Sequence, residues 1–371
     1  MTPKPFTLQI PDAAIADLNE RLARTRWPDE PALEPWSTGT SVAHAKALAE
    51  YWRAGFDWRA WEAKLNAFRQ FTVPVGGIDL HFIHEPGRRP GAMPLLISHG
   101  WPGSVFEFYK LIPLLTEHFT VIAPSLPGYT LSFKPGQKRF GVQDIAALYV
   151  ELMTGVLGYA RYGVQGGDWG GFVASVMGHQ HPERLTGIHL NLLAVRRDPA
   201  MLKNPTPEEK AYLDQLNTFL KEEMGYQWIQ GTRPQTLAFG LTDSPAGLLA
   251  WIVEKFRAWT DCNGNPENAV SRDEMLANIA LYWFTGAIGS SFWPYYARMH
   301  GPWPIGDGQT VDVPMGYAEF PKEILRPPRS VAEKTYTDIR RWSVMPKGGH
   351  FAALEQPEAL AHEVREFFAR L

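Results

Sequence analysis

YGVQGGDWGG, residues 162–171, sets Asp168 among glycines at a predicted junction between a strand and a helix. Residues 161–165 are predicted to form a strand and residues 171–178 a helix. Glycines suit such a junction because an abrupt turn needs unusual backbone angles and leaves no room for neighbouring side chains. The stretch therefore predicts a tight strand–turn–helix unit with Asp168 at its tip.

Gly166, Asp168 and Gly170 fit the pattern glycine–x–nucleophile–x–glycine, which is typical of the nucleophile elbow of the α/β-hydrolase fold. Two other interpretations compete with this one. Asp168 could be the N-cap of a helix that begins at Trp169, or the glycines could form a dinucleotide-binding loop. The second is disfavoured because a carboxylate at a helix N-terminus would repel phosphate, and because the usual phosphate-binding glycine motifs are absent.

Strands and helices alternate on both sides of this unit, which predicts an α/β protein with a mostly parallel sheet. A hairpin is predicted where two strand-like runs, 71–75 and 78–84, flank Gly76-Gly77. Short apolar runs bounded by turn residues predict the other strands at 94–98, 119–123, 186–193, 310–317 and 342–345.

Breaks in this alternation divide the chain into four segments. Residues 1–70 combine helical patterns with many aromatic residues and are predicted to wrap around a larger body. Residues 71–196 and 301–371 are predicted to form the two parts of an α/β-hydrolase core. Residues 197–300 show helical patterns without strand periodicity, so we expect them to be a helical lid inserted into that core.

Composition excludes several classes of protein. The 371 residues carry 36 Lys and Arg against 39 Asp and Glu, a formal net charge of −3, which argues against binding nucleic acid through bulk positive charge. The lone Cys262 excludes a disulfide framework and a CxxC motif. Neither a signal peptide nor a membrane-spanning apolar run is visible, so we expect a cytoplasmic protein without a membrane anchor.

HGWPG, residues 99–103, directly follows the strand predicted at 94–98. Hydrolases of this fold carry an oxyanion-hole loop at that place, and a second donor is the backbone N–H of the residue after the nucleophile. The predicted donors are therefore the backbone N–H groups of Trp101 and Trp169. The dipeptides His-Gly and Pro-Gly are also common in ordinary turns, but the predicted elbow at Asp168 favours an oxyanion-hole loop.

His350 lies on a Gly-Gly loop between the last predicted strand and the final helix, where the general base of this fold is expected. Glu319 and Glu323 follow the strand predicted at 310–317, and either carboxylate could orient the histidine. The residue pattern does not choose between them. No metal site is predicted, because His179 and His181 lack a carboxylate at ligand spacing.

An aspartate nucleophile indicates the kind of substrate. A carboxylate that attacks a saturated carbon forms an alkyl ester, which an activated water must then hydrolyse at the Asp carbonyl. The substrate should therefore be an epoxide or an alkyl halide. An epoxide oxygen needs hydrogen-bond donors such as Tyr hydroxyls, whereas a halide needs weaker donors such as indole N–H groups.

Across its whole length the sequence resembles the microsomal-type epoxide hydrolase family. The resemblance rests on five segments in the same order. They are PFTLQIPDAAIADLNERLARTRWP from residue 5, HGWPGS at 99–104, SLPGY at 125–129, GGDWGG at 166–171 and MPKGGHFAALEQPE at 345–358. The resemblance implies Asp168 as nucleophile and His350 as base. Because the family's acid lies in a Phe-Pro-x-Glu motif, it also selects Glu323 from FPKE at 320–323.

The resemblance also implies two lid tyrosines that bind and protonate the epoxide oxygen. Tyr226 matches the first, in GYQWIQ at 225–230. The second is the latter tyrosine of a Tyr-Tyr pair that follows Ser-Ser, which indicates Tyr296 and leaves Tyr295 as the alternative. Without the resemblance, packing in an aromatic lid would explain either tyrosine as well.

The function implied is a cofactor-independent epoxide hydrolase that converts a small hydrophobic epoxide and water into a vicinal diol. Two alternatives remain at this stage. One is a haloalkane-type dehalogenase with the same nucleophile, and the other is a non-catalytic receptor on a hydrolase fold. A homodimer is left open. Because His350 must be neutral to act as a base, we expect activity to fall at acid pH.

Overall fold

The computed structural model describes residues 1–195 and 203–371, and one nine-stranded sheet forms the centre of that part of the chain. The strands are β1 Lys4–Pro5, β2 Gln70–Val75, β3 Ile78–Glu85, β4 Met93–Ser98, β5 Phe119–Pro124, β6 Tyr162–Gly166, β7 Leu185–Leu190, β8 Met315–Glu319 and β9 Ile339–Val344. Their order across the sheet is β1-β2-β3-β5-β4-β6-β7-β8-β9.

The predicted mostly parallel sheet is confirmed. Strands β4 to β9, in the order β5-β4-β6-β7-β8-β9, pair in parallel, and β1 to β3 add an antiparallel edge. The hairpin of β2 and β3 is the one predicted around Gly76-Gly77. Leu95, Leu96 and Ile97 of β4 are fully buried, because helices cover both faces of a parallel sheet.

Helices account for most of the remaining structure. They are α1 Asp12–Ala23, α2 Val42–Ala54, α3 Trp58–Asn66, α4 Leu111–Leu115, α5 Val142–Val150, α6 Asp168–Gln180, α7 Pro207–Thr218, α8 Gly225–Thr232, α9 Pro234–Asp243, α10 Pro245–Trp259, α11 Arg272–Thr285, α12 Ile288–Ser291, α13 Trp293–His300, α14 Arg329–Ala332, α15 Ala352–Glu355 and α16 Pro357–Phe368. Helices α7 to α13 follow one another between β7 and β8, and the described residues 203–300 contain no strand. The lid boundary predicted between residues 196 and 197 lies outside the described residues.

The first three helices pack against the helices that precede β8. The Thr40 hydroxyl donates to the Ala250 carbonyl of α10 at 2.7 Å. The Tyr51 hydroxyl donates to Asp273 Oδ1 of α11, also at 2.7 Å. The N-terminal segment therefore lies over α10 and α11.

The strand predicted at 310–317 is shorter and later than expected, since β8 runs over Met315–Glu319. Pro314 has no backbone N–H to donate to a ladder, and before it only an isolated bridge joins Val311 to Tyr336. This shift makes Glu319 the last residue of the strand, and Glu323 lies in the turn beyond it.

Within the residues that the structure describes, no single helix has both the length and the apolar composition to cross a membrane. Helices α9 and α10 meet those criteria only when they are counted together, and the pair is bent by 115° between them.

Candidate active site

Asp168 lies where β6 turns into α6, at the carboxyl end of the parallel strands. Its φ is 47°, a left-handed conformation that side chains rarely adopt. A Cβ on Gly166 would collide with the Gly170 carbonyl, and a Cβ on Gly170 would collide with the Ser98 carbonyl. The N-cap of α6 is Gly167, and no side chain caps the helix. The elbow interpretation therefore fits the geometry, and the N-cap alternative for Asp168 is wrong.

The loop after β4 brings a backbone donor to the aspartate. The Trp101 N–H donates to Asp168 Oδ1 at 2.7 Å. A Cβ on Gly100 would collide with the Asp168 side chain, so glycine there lets the loop approach closely. The Trp169 N–H lies in the first turn of α6, where backbone N–H groups have no acceptor within the helix. Both expected donors therefore lie beside this carboxylate.

His350 lies between two carboxylates. Its Nδ1 is 2.6 Å from Glu323 Oε1, and its Nε2 is 3.5 Å from Asp168 Oδ2. The backbone N–H of His350 donates to the Trp259 carbonyl at 2.8 Å, which fixes the loop that carries the ring. Burial alone would lower the pKa of His350, but the negative charges of Glu323 and Asp168 outweigh burial and raise that pKa well above its usual value.

Glu323, and not Glu319, contacts the histidine. The Lys322 N–H donates to the Gly348 carbonyl at 3.1 Å, so the turn after β8 is joined to the His350 loop. Glu319 is half-buried elsewhere, where burial raises the pKa of its carboxyl and the Trp342 indole hydrogen-bonds to it. The choice that the residue pattern left open is thus made by the turn that carries Glu323.

Tyr226 and Tyr295 contact Trp101 of the loop at residues 99–103. The Tyr226 ring stacks on Trp101 with 5.4 Å between centroids, and its hydroxyl accepts a hydrogen bond from Gln227 Nε2 at 2.8 Å. The Tyr295 ring is 4.7 Å from Trp169 and 5.8 Å from Tyr226, edge to face in both cases. Burial, then the nearby Tyr226 and Asp168, raise the pKa of Tyr295 well above its usual value, so its hydroxyl stays protonated.

Tyr296, the tyrosine indicated by the family motif, lies elsewhere. Its ring stacks between Trp293, at 4.8 Å between centroids, and His300, at 4.0 Å. The contact of the Tyr295 ring with Trp169 favours Tyr295 over Tyr296 for this role, because one residue along a helix turns a side chain by about 100°.

A cavity of about 560 Å³ opens beside Asp168. Most of its lining is apolar or aromatic, as is typical of sites for small hydrophobic ligands. The residues that define its floor and walls include Asp168, Trp169, Phe172, Tyr295, Met299 and Trp303. In the described residues, no group of three His, Cys, Asp or Glu side chains is arranged to hold a metal ion.

Two charged residues near the site were missed by the sequence analysis. Glu107 is buried against Gly103 of the loop at residues 99–103, and Lys255 of α10 is buried with its Nζ 4.5 Å from the Tyr226 ring centroid. Glu107 is a lone charge in the apolar run VFEF at 105–108, and Lys255 follows Glu254 in the otherwise apolar run WIVEKF at 251–256. Buried charges of this kind are rare, which was the available signal.

Comparisons with known proteins identify the family. Residues 3–108 match the family model described as epoxide hydrolase N terminus, and residues 93–229 match the model described as alpha/beta hydrolase fold. Epoxide hydrolase 1 of Oryctolagus cuniculus is 37% identical to this chain, over 98% of this chain and 88% of the rabbit protein. The chain belongs to the epoxide hydrolase family. It is a hydrolase that acts on the ether bond of epoxides, as predicted.

Other epoxide hydrolases agree with this assignment. A relative from Stigmatella aurantiaca, whose name assigns it provisionally to the epoxide hydrolases, is 44% identical over 99% of this chain and 85% of its own length. The crystal structure of juvenile hormone epoxide hydrolase from Bombyx mori superposes with a TM-score of 0.89, at 32% identity, over 100% of this chain and 94% of that one. The α/β-hydrolase fold of this epoxide hydrolase is thereby confirmed.

For the dehalogenase alternative, the comparisons show a likeness in fold only. A loop variant of the haloalkane dehalogenase DbeA from Bradyrhizobium elkanii superposes with a TM-score of 0.58 but is 19% identical, over 82% of this chain and 97% of that one. The relatives named above, at 37% and 44% identity, carry epoxide hydrolase names. The comparisons therefore favour the epoxide over the alkyl halide.

Proposed function

We propose that this epoxide hydrolase opens its substrate through a covalent ester on Asp168 and then hydrolyses that ester with a water activated by His350. The observation that carries the proposal is the environment of one carboxylate. Asp168 Oδ1 accepts from the Trp101 N–H at 2.7 Å, while Oδ2 faces His350 Nε2 at 3.5 Å. A nucleophile, an anion-stabilising donor and a base thus meet at a single side chain.

In the first step, Asp168 Oδ2 attacks a ring carbon and the bond from that carbon to the epoxide oxygen breaks. Tyr226 and Tyr295 are the proposed donors to the oxygen, which leaves as a hydroxyl once one of them has given it a proton. Support for Tyr295 is its place in the cavity wall and its raised pKa, which keeps the proton available until the alkoxide forms. The aromatic lining of the 560 Å³ cavity favours a small hydrophobic epoxide.

In the second step, water bonds to the Asp168 carboxyl carbon while His350 Nε2 takes one of its protons. The negative charge that develops on Oδ1 is stabilised by the Trp101 and Trp169 N–H groups. The tetrahedral intermediate then collapses, which breaks the bond between the Asp168 carboxyl carbon and the alkyl oxygen. The alkyl oxygen takes the second proton of the water, and the diol leaves. The proton on His350 returns through solvent to the tyrosinate of the first step, so the sum is epoxide plus water to diol.

Isotope labelling tests the covalent ester. A single turnover of excess enzyme with styrene oxide in ¹⁸O-water should give an unlabelled diol and an ¹⁸O label on Asp168, measured by mass spectrometry of both. The reason is that the oxygen added to the diol comes from Asp168, which regains one from water. A labelled diol with an unlabelled Asp168 would mean direct attack by water and would overturn the proposal.

Removing the base should separate the two steps. His350→Gln keeps a hydrogen-bonding side chain but cannot take the proton, so we expect the enzyme to accumulate as the substrate adduct. Intact-protein mass spectrometry should show one added styrene oxide. Asp168→Ala is the matched control, and it should show neither adduct nor diol.

The expected cytoplasmic location remains a proposal, which cell fractionation tests. A homodimer, which the sequence left open, also remains a proposal, and sedimentation velocity tests it.

A further inference from the structure

Asp168 lines a second cavity, of about 20 Å³, in addition to the cavity of about 560 Å³ described above, which we call the substrate cavity. No other described residue lines both cavities. This volume is enough for one water molecule, which needs about 10–15 Å³ on the same measure. Its wall combines apolar groups with several polar side chains, which include Ser98, Glu107, Gln165, Asn191 and His350. Unlike the substrate cavity, it is too small for an epoxide. We call it the water chamber.

Gln165 leaves an acceptor without a partner in this chamber. The side chain lies at the end of β6 and is 1% exposed. Its Nε2 donates to Asn191 Oδ1 at 2.8 Å, whereas its Oε1 has no hydrogen-bond partner in the described part of the chain. Buried acceptors are nearly always satisfied, and water is the usual partner when no protein group is close enough. The orphan oxygen therefore indicates a site for a donor molecule.

Glu107 supplies a carboxyl group on another wall. It lies in the short 3₁₀ turn Val105–Phe108, and its side chain fills the space where a Cβ of Gly103 would stand. Burial, opposed by His350 and reinforced by Asp168, raises the pKa of Glu107 to about 8. At neutral pH this carboxyl is therefore mostly protonated, and it can both donate to a water and accept from one.

We propose that the water chamber holds the water that hydrolyses the Asp168 ester, and that Glu107 and Gln165 bind this water next to His350. The inference rests on the proposed two-step function. Water and substrate would then reach Asp168 from separate cavities, so ring opening and ester hydrolysis depend on different side chains. Glu107 and Gln165 should matter for the second step only.

Transient kinetics of the full-length enzyme test this division. Glu107→Leu removes both hydrogen-bonding functions, whereas Glu107→Gln keeps a neutral donor and acceptor of the same length. With styrene oxide, we expect ester formation in Glu107→Leu within about twofold of wild type and ester hydrolysis slowed at least about 10-fold. Glu107→Gln should recover most of the hydrolysis rate. The steps are followed by rapid-quench mass spectrometry of the ester.

Two outcomes overturn the proposal while leaving the proposed function intact. One is ester hydrolysis at the wild-type rate in Glu107→Leu. The other is an equal loss of both steps in the Leu and Gln variants, since the chamber would then not be specific to water. If no ester forms in wild type or in His350→Gln, the proposed function itself fails.

A second measurement covers the case in which Glu107→Leu does not fold. A high-resolution crystal structure of the wild-type enzyme should show one ordered water within hydrogen-bond distance of Gln165 Oε1 and Glu107. A chamber without that water overturns the proposal. Gln165→Leu, measured in the same quench experiment, should slow hydrolysis in the same selective way.

Discussion

Asp168 has a backbone conformation, φ 47°, that costs a non-glycine residue about 1–3 kcal/mol. The surrounding glycines allow this conformation by removing the side chains that would block it, and α6 packs directly on the strands beneath. In this conformation the short Asp168 side chain, which follows the buried strand β6, reaches the cavity of about 560 Å³. A serine there would have the same geometry, so the choice of aspartate determines the chemistry and not the fold.

His350 sets the expected pH dependence. Its pKa is raised because two carboxylates face it, and it must lose its proton before it can act as a base. We expect the rate constant of ester hydrolysis to fall as pH decreases through the pKa of His350 in the ester, while ring opening is unaffected by His350 protonation. Once Asp168 is esterified, one of the two negative charges is gone, so the pKa that governs hydrolysis should be lower than that of the free enzyme.

Single-turnover tryptophan fluorescence with styrene oxide, from about pH 5 to about pH 9, would measure both steps. Glu323→Gln serves as the comparison, because loss of a negative charge should move the acid limb to lower pH while slowing hydrolysis. If the pH at which hydrolysis slows were the same in Glu323→Gln as in wild type, the assignment of this pH dependence to His350 beside Glu323 would be contradicted.

Helix α13 favours one of two neighbouring tyrosines as the second donor to the epoxide oxygen. Consecutive residues of an α-helix point about 100° apart, so only one of Tyr295 and Tyr296 can face Asp168. Tyr295→Phe removes a hydroxyl from the cavity wall and should slow ring opening by about 10- to 100-fold. Tyr296→Phe, the matched control, should keep ring opening within about twofold of wild type, since its ring stacks on Trp293 and His300.

The rate of ester formation from styrene oxide, measured in the first turnover, distinguishes the two variants. The reverse result, with Tyr296→Phe slow and Tyr295→Phe normal, would restore the motif-based expectation. Equal changes in the ring-opening rate in the two variants would mean that neither hydroxyl acts as a specific donor to the epoxide oxygen.

At the scale of the whole molecule, the N-terminal segment completes the fold around the core. Glu62 of α3 is buried and accepts from the Ile10 N–H at 2.7 Å and from the Trp58 indole N–H at 3.1 Å. It also pairs with Arg59 at 2.6 Å. One carboxylate thus joins the start of the chain to α3, which itself packs on α11 through Trp58 and Phe284.

Glu62→Ala should therefore destabilise the protein by about 2–3 kcal/mol, because two buried donors lose their acceptor. For a chain of this size, that corresponds to a fall in Tm of roughly 3 °C. Glu50→Ala is the matched control, since Glu50 is an exposed partner of Arg53 on α2, and it should leave Tm nearly unchanged. Calorimetry of both variants measures the difference, and equal Tm values would show that Glu62 does not hold the segment.

Much of the fold could be predicted because its signals are local. The apolar runs of β4 and β5, the Gly-Gly hairpin between β2 and β3, and the glycines around Asp168 each act over a few residues, and local backbone preferences follow them directly. The error at β8 came from a local signal that was overlooked, since Pro314 cannot donate to a ladder. The order of Asp168, Glu323 and His350 along the chain also followed from the fold class.

By itself, the sequence determined the fold class, the elbow at Asp168 and the loop that carries His350, because spacing and glycine content act within one stretch of chain. Only the tertiary structure decided which side chains meet there. Trp101 reaches Asp168 across 67 residues and Glu323 reaches His350 across 27. The rotation of α13 places Tyr295 in the cavity wall beside Asp168, and Glu107 and Gln165 both line the water chamber. Such contacts depend on how whole elements pack, and no short pattern of residues encodes that packing.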